Sequence, residues 1–209
     1  MICQKLINRD IDARCDLPMV RGFEPDGIII NYDDIDFAAT TVPEGSDNVR
    51  TVVLKSGKTG YPVKQPANSP FTGSESTLNV GTYASTWEHS IQLILMSVGA
   101  YTSELVDKLA SGRFVLILRN KTKTDAQSGL NGATDVQDAS EYQIFGLEQG
   151  MTATAGTRTP DDEDTMGGTL ITLTETGAPS HGLFLWNGTK TGTDLAYNLL
   201  LEHKHKYDA

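Results

Sequence analysis

The stretch Ser85–Val98 constrains this fold more than any other part of the chain. Trp87, Ile91, Leu93 and Leu95 occupy its odd positions, while its even positions begin polar at Glu88, Ser90 and Gln92 and turn apolar at Ile94, Met96 and Val98. A period of two is that of a β-strand: one face lies in a core throughout, and the other needs a cover near its end. The cover is expected immediately downstream. Thr102 can N-cap a helix over about residues 102–111, with Glu104 in the first turn, Leu105, Val106 and Leu109 on one face, a Glu104/Lys108 pair on the other, and Gly112 as the stop. Phe114–Leu118 then runs apolar on both faces, as a central strand does when one face meets a sheet and the other lies beneath a helix. Strand, helix and strand form the expected nucleus, with Leu105 and Leu109 packed against Val115 and Ile117.

Elsewhere threonine and glycine are abundant, helix formers are sparse, and apolar residues fall in short runs between turn signals. The further strands expected are Gly27–Tyr32, Val49–Lys55, Leu78–Tyr83, Arg113–Asn120, Glu141–Leu147, Gly168–Thr174 and Gly182–Trp186. The fold class is mainly β with one flanking helix and long loops. A chain of 209 residues suits one domain, and burial of roughly 70% of the unfolded surface makes metal or disulfide support unnecessary. The expected domain, 1–209, has an N-terminal arm over 1–19, a core over about 20–175 and a C-terminal extension over 178–209.

Three segments resist packing. Ser56–Thr77 sets Gly57, Gly60, Pro62, Pro66, Pro70 and Gly73 among Ser, Asn and Thr, and reads as an excursion that orders only against a neighbouring subunit. Lys121–Ser140 is polar and carries the turn signal Asn131-Gly132, and Ala155–Gly167 holds the acidic run Asp161-Asp162-Glu163-Asp164. Loops this long inside one domain are usually functional or ordered by a partner.

Charge narrows the partners. Lys+Arg 17 against Asp+Glu 27 gives −10, a field that repels phosphate, so sequence-reading nucleic-acid binding is not expected. Met1–Ile7 turns polar at Asn8-Arg9-Asp10, without a signal-peptide apolar region, and no run reaches ~18 apolar residues. The chain is expected to be made and kept in a cytosol unless an assembly carries it out. Cys3 and Cys15 match no zinc spacing and read as free thiols.

The motif search yields little chemistry. Asp161–Asp164 fails the calcium-loop pattern, because counting from Asp162 the fifth position is Met166 and the twelfth Leu173. A solvated acidic loop, an acidic surface lining an assembly and a metal site stay open for it. Asp33, Asp34 and Asp36 follow Asn31 and read either as the same kind of surface or as turn chemistry at a strand end. His203 and His205 share a side if extended, with no third ligand evident; His89 reads as a hydrogen-bonded sheet residue and His181 as part of a turn. There is no Gly-x-Ser-x-Gly, no cysteine with an assignable histidine and no phosphate-binding glycine loop, so neither a catalytic site nor a cofactor is expected. Asn120-Lys121-Thr122 and Asn187-Gly188-Thr189 match the glycosylation sequon, which carries little weight without a secretory signal.

The order of segments resembles the tail-tube proteins of bacteriophages, particularly those of Bacteroidetes-type phages and prophages. The residues that carry it are Asp12 to Pro18 with Cys15, leading to Gly22 and Ile30-Asn31-Tyr32-Asp33-Asp34-Ile35; Leu54-Lys55-Ser56-Gly57-Lys58; the Trp87–Leu118 unit; Tyr142–Met151; and Gly167–Thr174. The segments 121–140 and 178–209 match no feature of that family. The resemblance implies a β-sandwich or small barrel of tail-tube type with one flanking helix, assembled with itself into rings of six or twelve copies around a DNA exit channel. It implies neighbouring virion ring and tail proteins as partners, DNA in non-specific transit, no cofactor, no membrane insertion, and a place in the virion tail or portal-proximal neck after synthesis in host cytoplasm. A lumen that lets DNA slide should carry more carboxylates than amines. The candidate lumen-facing acids are Asp161, Asp162, Glu163 and Asp164, and Asp33, Asp34 and Asp36.

Two other readings stand beside this one. A β-sandwich binding module, such as an adhesin or receptor-binding accessory domain, would expose Trp186, Tyr61 or Tyr83 in a shallow pocket. A β-rich enzyme would need a cleft uniting His89 or His181 with carboxylates.

Overall fold

The computed structural model describes residues 20–42, 47–68, 70–122 and 140–201. The expectations for the arm 1–19 with Cys3 and Cys15, for Asn131-Gly132, and for His203 and His205 lie outside the described residues.

The chain is mainly β, built on an open mixed sheet. Its strands are β1 (Phe23–Asn31), β2 (Asn48–Val49), β3 (Tyr61–Lys64), β4 (Glu75–Val80), β5 (Ser85–Leu95), β6 (Arg113–Asn120), β7 (Tyr142–Phe145), β8 (Met151–Arg158), β9 (Thr169–Ala178) and β10 (Leu183–Leu185); the helices are α1 (Ala100–Ser111) and α2 (Lys190–Leu199). The hydrogen-bonded order is β2-β10-β7-β6-β8-β9-β5-β4, with β1 on the other edge of β6 and β3 outside β1. All these pairs are antiparallel except β10 with β2.

Strand β6 is the axis of the molecule. Phe114 through Leu118 are all buried, as an apolar run with two covered faces requires. Val115 and Ile117 join Ile28 and Ile30 of β1, Ile144 of β7, Leu185 of β10 and Leu200 in one core. Phe114, Leu116 and Leu118 join Phe145, Met151, Ile91 and Leu93 of β5, and Ile171 and Leu173 of β9 in the other. One edge of β6 serves both limbs of the sheet: β7 pairs along Leu116–Arg119, and β8 pairs at Arg113 and Phe114. The chain changes limb through the corner Gly146–Gly150, where both glycines have positive φ (83° and 79°) and the Gly150 amide donates to the Gly146 carbonyl at 2.8 Å. A Cβ on Gly146 would lie 2.6 Å from the Phe114 carbonyl oxygen, so the corner is open only to glycine.

Several expectations are corrected here. Helix α1 begins at Ala100 with Gly99 at its N-cap; Thr102 lies inside it, buried, its hydroxyl hydrogen-bonded to that of Ser97. Its Glu104/Lys108 pair (2.6 Å) and its stop at Gly112 are as expected. Leu109 packs with Phe114, Leu116 and Leu118, not with Val115 and Ile117, and Leu105 is exposed. The covering helix therefore lies over the opposite face of β6. Strand β5 ends at Leu95, so Met96 and Val98 stay exposed instead of lying beneath α1.

The stretch 56–77 is no undocked excursion. Within it β3 pairs with β1 from Asp26↔Lys64 to Ile29↔Tyr61, and Phe71 is buried in the β5/β9 core. The core also continues past residue 175. Leu185 and Leu200 are buried with Ile28 and Ile30, and α2 packs Ala196 and Tyr197 on that face. Thr189 caps α2, its hydroxyl accepting from the Gly192 amide at 3.0 Å. Strand β8, absent from the expected set, pairs with β9 and closes the acidic segment into a hairpin turn.

Candidate interaction site

The expected acids divide into two places. Asp33 meets Arg113 at 3.1 Å, and that guanidinium lies 3.9 Å from the centre of the Tyr32 ring. Asp34 accepts from Asn31 Nδ2 at 2.8 Å and pairs with Lys58 Nζ at 3.0 Å. Burial pushes the Asp34 carboxyl up, but the hydrogen bonds from Asn31 and Lys58 and the charges of Lys58 and Lys55 outweigh it and hold the group below its usual value. Asp36 Oδ1 accepts from the amides of Ala38 and Ala39, at 3.1 and 3.2 Å. Turn chemistry engages Asp36 and, through Asn31, Asp34, whereas Asp33 is held by Arg113 of β6.

The second group lies in the β8–β9 turn. Asp162 Oδ2 accepts from the Thr165 amide (3.1 Å) and hydroxyl (2.7 Å), which holds the turn and lowers its pKa. Asp161, Glu163 and Asp164 are exposed. Arg113, the partner of Asp33, is paired with Thr152 at the start of β8, and the acidic turn closes its far end. An eight-residue strand separates the groups by about 23 Å. The structure does not bring them together.

The aromatic residues divide as well. Trp186 is buried, against the expectation of an exposed ring; it follows β10, which pairs beside β2, and its amide donates to Val49 O at 2.8 Å. Tyr83 stands fully exposed in the β4–β5 turn, and Tyr61 is exposed on β3. His89 is buried, with Nδ1 2.8 Å from the Ser76 hydroxyl and Nε2 3.3 Å from the Ser180 carbonyl. A carbonyl only accepts, so Nε2 carries the proton and Nδ1 accepts from Ser76. Burial lowers the His89 pKa. His181 stacks edge-on against Trp87 at 4.5 Å.

Two surfaces carry unsatisfied packing. Along β4 all six residues are exposed, and among the described residues the strand pairs only with β5, which leaves its outer edge open to them. Leu78, Val80 and Tyr83 are exposed on and beside it. The second surface is an open groove of about 630 Å³ between α1, β3 and the end of β5. Ile29, Leu93, Leu109 and Phe114 line its depth, and Tyr61, Met96, Tyr101 and Leu105 line it as exposed residues. Its charged lining residues are Lys64 and Lys108, with no carboxylate among them. Of these groove residues the sequence pointed to Tyr61 as a binding aromatic; Tyr101, Lys64 and Met96 come from separate segments that only the fold unites.

Two buried carboxylates also escaped the sequence reading. Glu175 accepts from the amides of Gly146 (2.8 Å) and Gln149 (3.0 Å), tying β9 to the glycine corner. Glu141 meets Arg119 Nη2 at 2.6 Å and Nε at 2.8 Å and lies 3.6 Å from Lys190, joining β6 to α2. For Glu175 a signal existed: it continues the odd-numbered Ile171/Leu173 face, where a carboxylate must find donors.

Among the described residues no three His, Cys, Asp or Glu side chains converge as a metal site, and no helix is long and apolar enough to cross a membrane. Comparisons with protein-family models, curated proteins and solved structures found no match to this chain.

Proposed function

We propose that the chain is a non-catalytic virion structural protein that assembles with itself into a tail-tube or tube-fold ring lining a DNA exit channel. The observation that carries this reading is β4, a six-residue strand that is exposed on both faces and, among the described residues, bonded along one edge only. A long unprotected edge templates pairing with another chain, and single-copy proteins normally blunt it with charge, proline or a cover. Here the strand is Glu-Ser-Thr-Leu-Asn-Val, with one charge and no proline. The sheet is open, and β3 at another of its limits also pairs with one strand among the described residues. Addition of β4 to such an edge of the next copy is a head-to-tail contact, which closes into a ring when the rotation between copies permits. The assignment to phage tails rests on the order of motifs from Asp12 to Thr174. As lumen-facing acids, Asp161, Glu163 and Asp164 fit best, since Asp33, Asp34, Asp36 and Asp162 are engaged within the subunit.

Negative-stain microscopy of the purified chain tests this, together with mass measurement of the assembled species. Rings with a central hole are expected, and their loss in Leu78→Lys/Val80→Lys, at positions exposed enough to leave the monomer folded. A wild-type chain that stays monomeric across concentrations would sink the ring. The binding-module reading would then lead, with Tyr61 at the groove as its supporting residue.

A further inference from the structure

We infer that Asn187-Gly188 is a site of spontaneous covalent modification, at which the Gly188 amide nitrogen closes on the Asn187 side chain and converts the asparagine to isoaspartate and aspartate in the folded protein. The inference goes beyond the assembly reading and does not depend on it.

The pair lies in the loop between β10 and α2. Asn187 and Gly188 are both exposed, whereas Trp186 just before them is buried. Asparagine is a thermolabile residue, and the reaction needs a free side-chain amide, a free amide nitrogen on the next residue and room for the two to meet. Among the described residues no hydrogen bond holds the Asn187 side chain or the Gly188 amide. Other asparagines are held: Asn31 Nδ2 donates to Asp34 at 2.8 Å, and Asn198 lies within α2. Room comes from the glycine. At φ 76° its backbone has a conformation that few other residues adopt, and even a Cβ there would meet nothing within 4 Å. The flanking residues are anchored while these atoms stay free. The Trp186 amide donates to Val49 O at 2.8 Å, the Asn187 main-chain amide to Thr193 Oγ1 at 2.9 Å, and Thr189 Oγ1 accepts from the Gly192 amide at 3.0 Å.

The chemistry balances with water alone. The Gly188 nitrogen gives its proton to hydroxide and bonds to Asn187 Cγ; the Cγ–Nδ2 bond breaks and ammonia leaves, closing a five-membered imide. Water then opens one of the two imide carbonyls. Opening at the main-chain carbonyl leaves isoaspartate, opening at Cγ leaves aspartate, and nothing is oxidised or reduced. Isoaspartate routes the main chain through Cβ and Cγ, one atom longer, just ahead of the Thr189 cap of α2.

The test incubates the folded, full chain at 37 °C at pH 6 and pH 8.5, digests it with pepsin at acid pH, and maps the peptides by mass spectrometry with isoaspartyl methyltransferase labelling. The peptide holding residue 187 should gain about 1 Da, with isoaspartate in excess of aspartate, at least tenfold faster at pH 8.5, and within about threefold of its rate in the guanidinium-unfolded chain. Asn31 and Asn198 should stay intact over the same period. Gly188→Ala should slow the change at least fivefold. Asn187→Gln, which cannot close the five-membered ring and leaves the glycine in place, should abolish it, so the test stands even if alanine at that φ disturbs the loop. An Asn187 that reacts in the unfolded chain but not in the folded one would overturn the inference, as would aspartate formed without isoaspartate, or equal conversion at Asn31 and Asn198.

Discussion

Asp34 illustrates how much a single carboxylate does at the end of β1. It accepts a hydrogen bond from Asn31, the last residue of β1, and pairs with Lys58, twenty-four positions on, and so ties the 3-10 turn Tyr32–Asp34 to the loop leading into β3. Because its pKa is depressed in the folded state, the unfolded chain binds the proton more tightly. Its contribution to stability is therefore complete above the ordinary value of 3.8 and is lost as pH falls through the lower folded value. In Asp34→Asn the urea midpoint should drop at pH 6 and converge with wild type as pH approaches 2. Parallel curves across that range would contradict the assignment. The residue was legible as turn chemistry, since Asn, Asp and Asp crowd the strand end. Its partner Lys58 was not, because nothing local links the two.

At the scale of elements, legibility follows the source of stability. Strands β5 and β6 carry their own signature, one alternating and the other apolar on both faces, and β6 has the expected bounds Arg113–Asn120. Strand β3 carries none. Its four residues include Pro62, and only pairing with the free edge of β1 makes it a strand. Helix α2 is similar: Lys190-Thr191-Gly192-Thr193 opens it without an apolar stripe, and it is held by Tyr142, whose hydroxyl donates to Asp194 at 2.6 Å and whose ring stacks on Tyr197 at 4.6 Å. Burial and the nearby Asp26 charge push the Tyr197 hydroxyl up to about 12. The orientation of α1 supplies a direct check. Leu109, buried against Phe114 and Leu116, should cost about 2–5 kcal/mol as Leu109→Ala. Leu105→Ala, at an exposed position, should cost about 0.5 kcal/mol or less in denaturant titrations. Equal losses would mean that both leucines are buried.

For the whole molecule, the central fact is that two cores share one strand. Val115 and Ile117 belong to one, Leu116 and Leu118 to the other, so neither can loosen while β6 keeps its neighbours. The two tryptophans lie on different limbs of the sheet: Trp186 directly follows β10, and Trp87 lies on β5. In Trp87→Phe and Trp186→Phe the remaining indole reports one side each. Their fluorescence transitions in urea should coincide within each variant with the loss of circular dichroism, as a two-state domain requires. Separated transitions would show that the sheet limbs unfold as independent units.

The meeting of Gly60 and Leu200 has a consequence in time. The Gly60 amide donates to the Leu200 carbonyl at 2.8 Å, and a Cβ on Gly60 would lie 2.6 Å from Ile28, so the early strand, the middle loop and the last described turn close on one another. During translation β1 leaves the ribosome long before the segment that seals it. The core around Ile28 and Ile30 stays incomplete until residues 183–200, with Leu185 and Leu200, have been made. A chain interrupted before that point displays bare aliphatic surface and is open to chaperones and proteases.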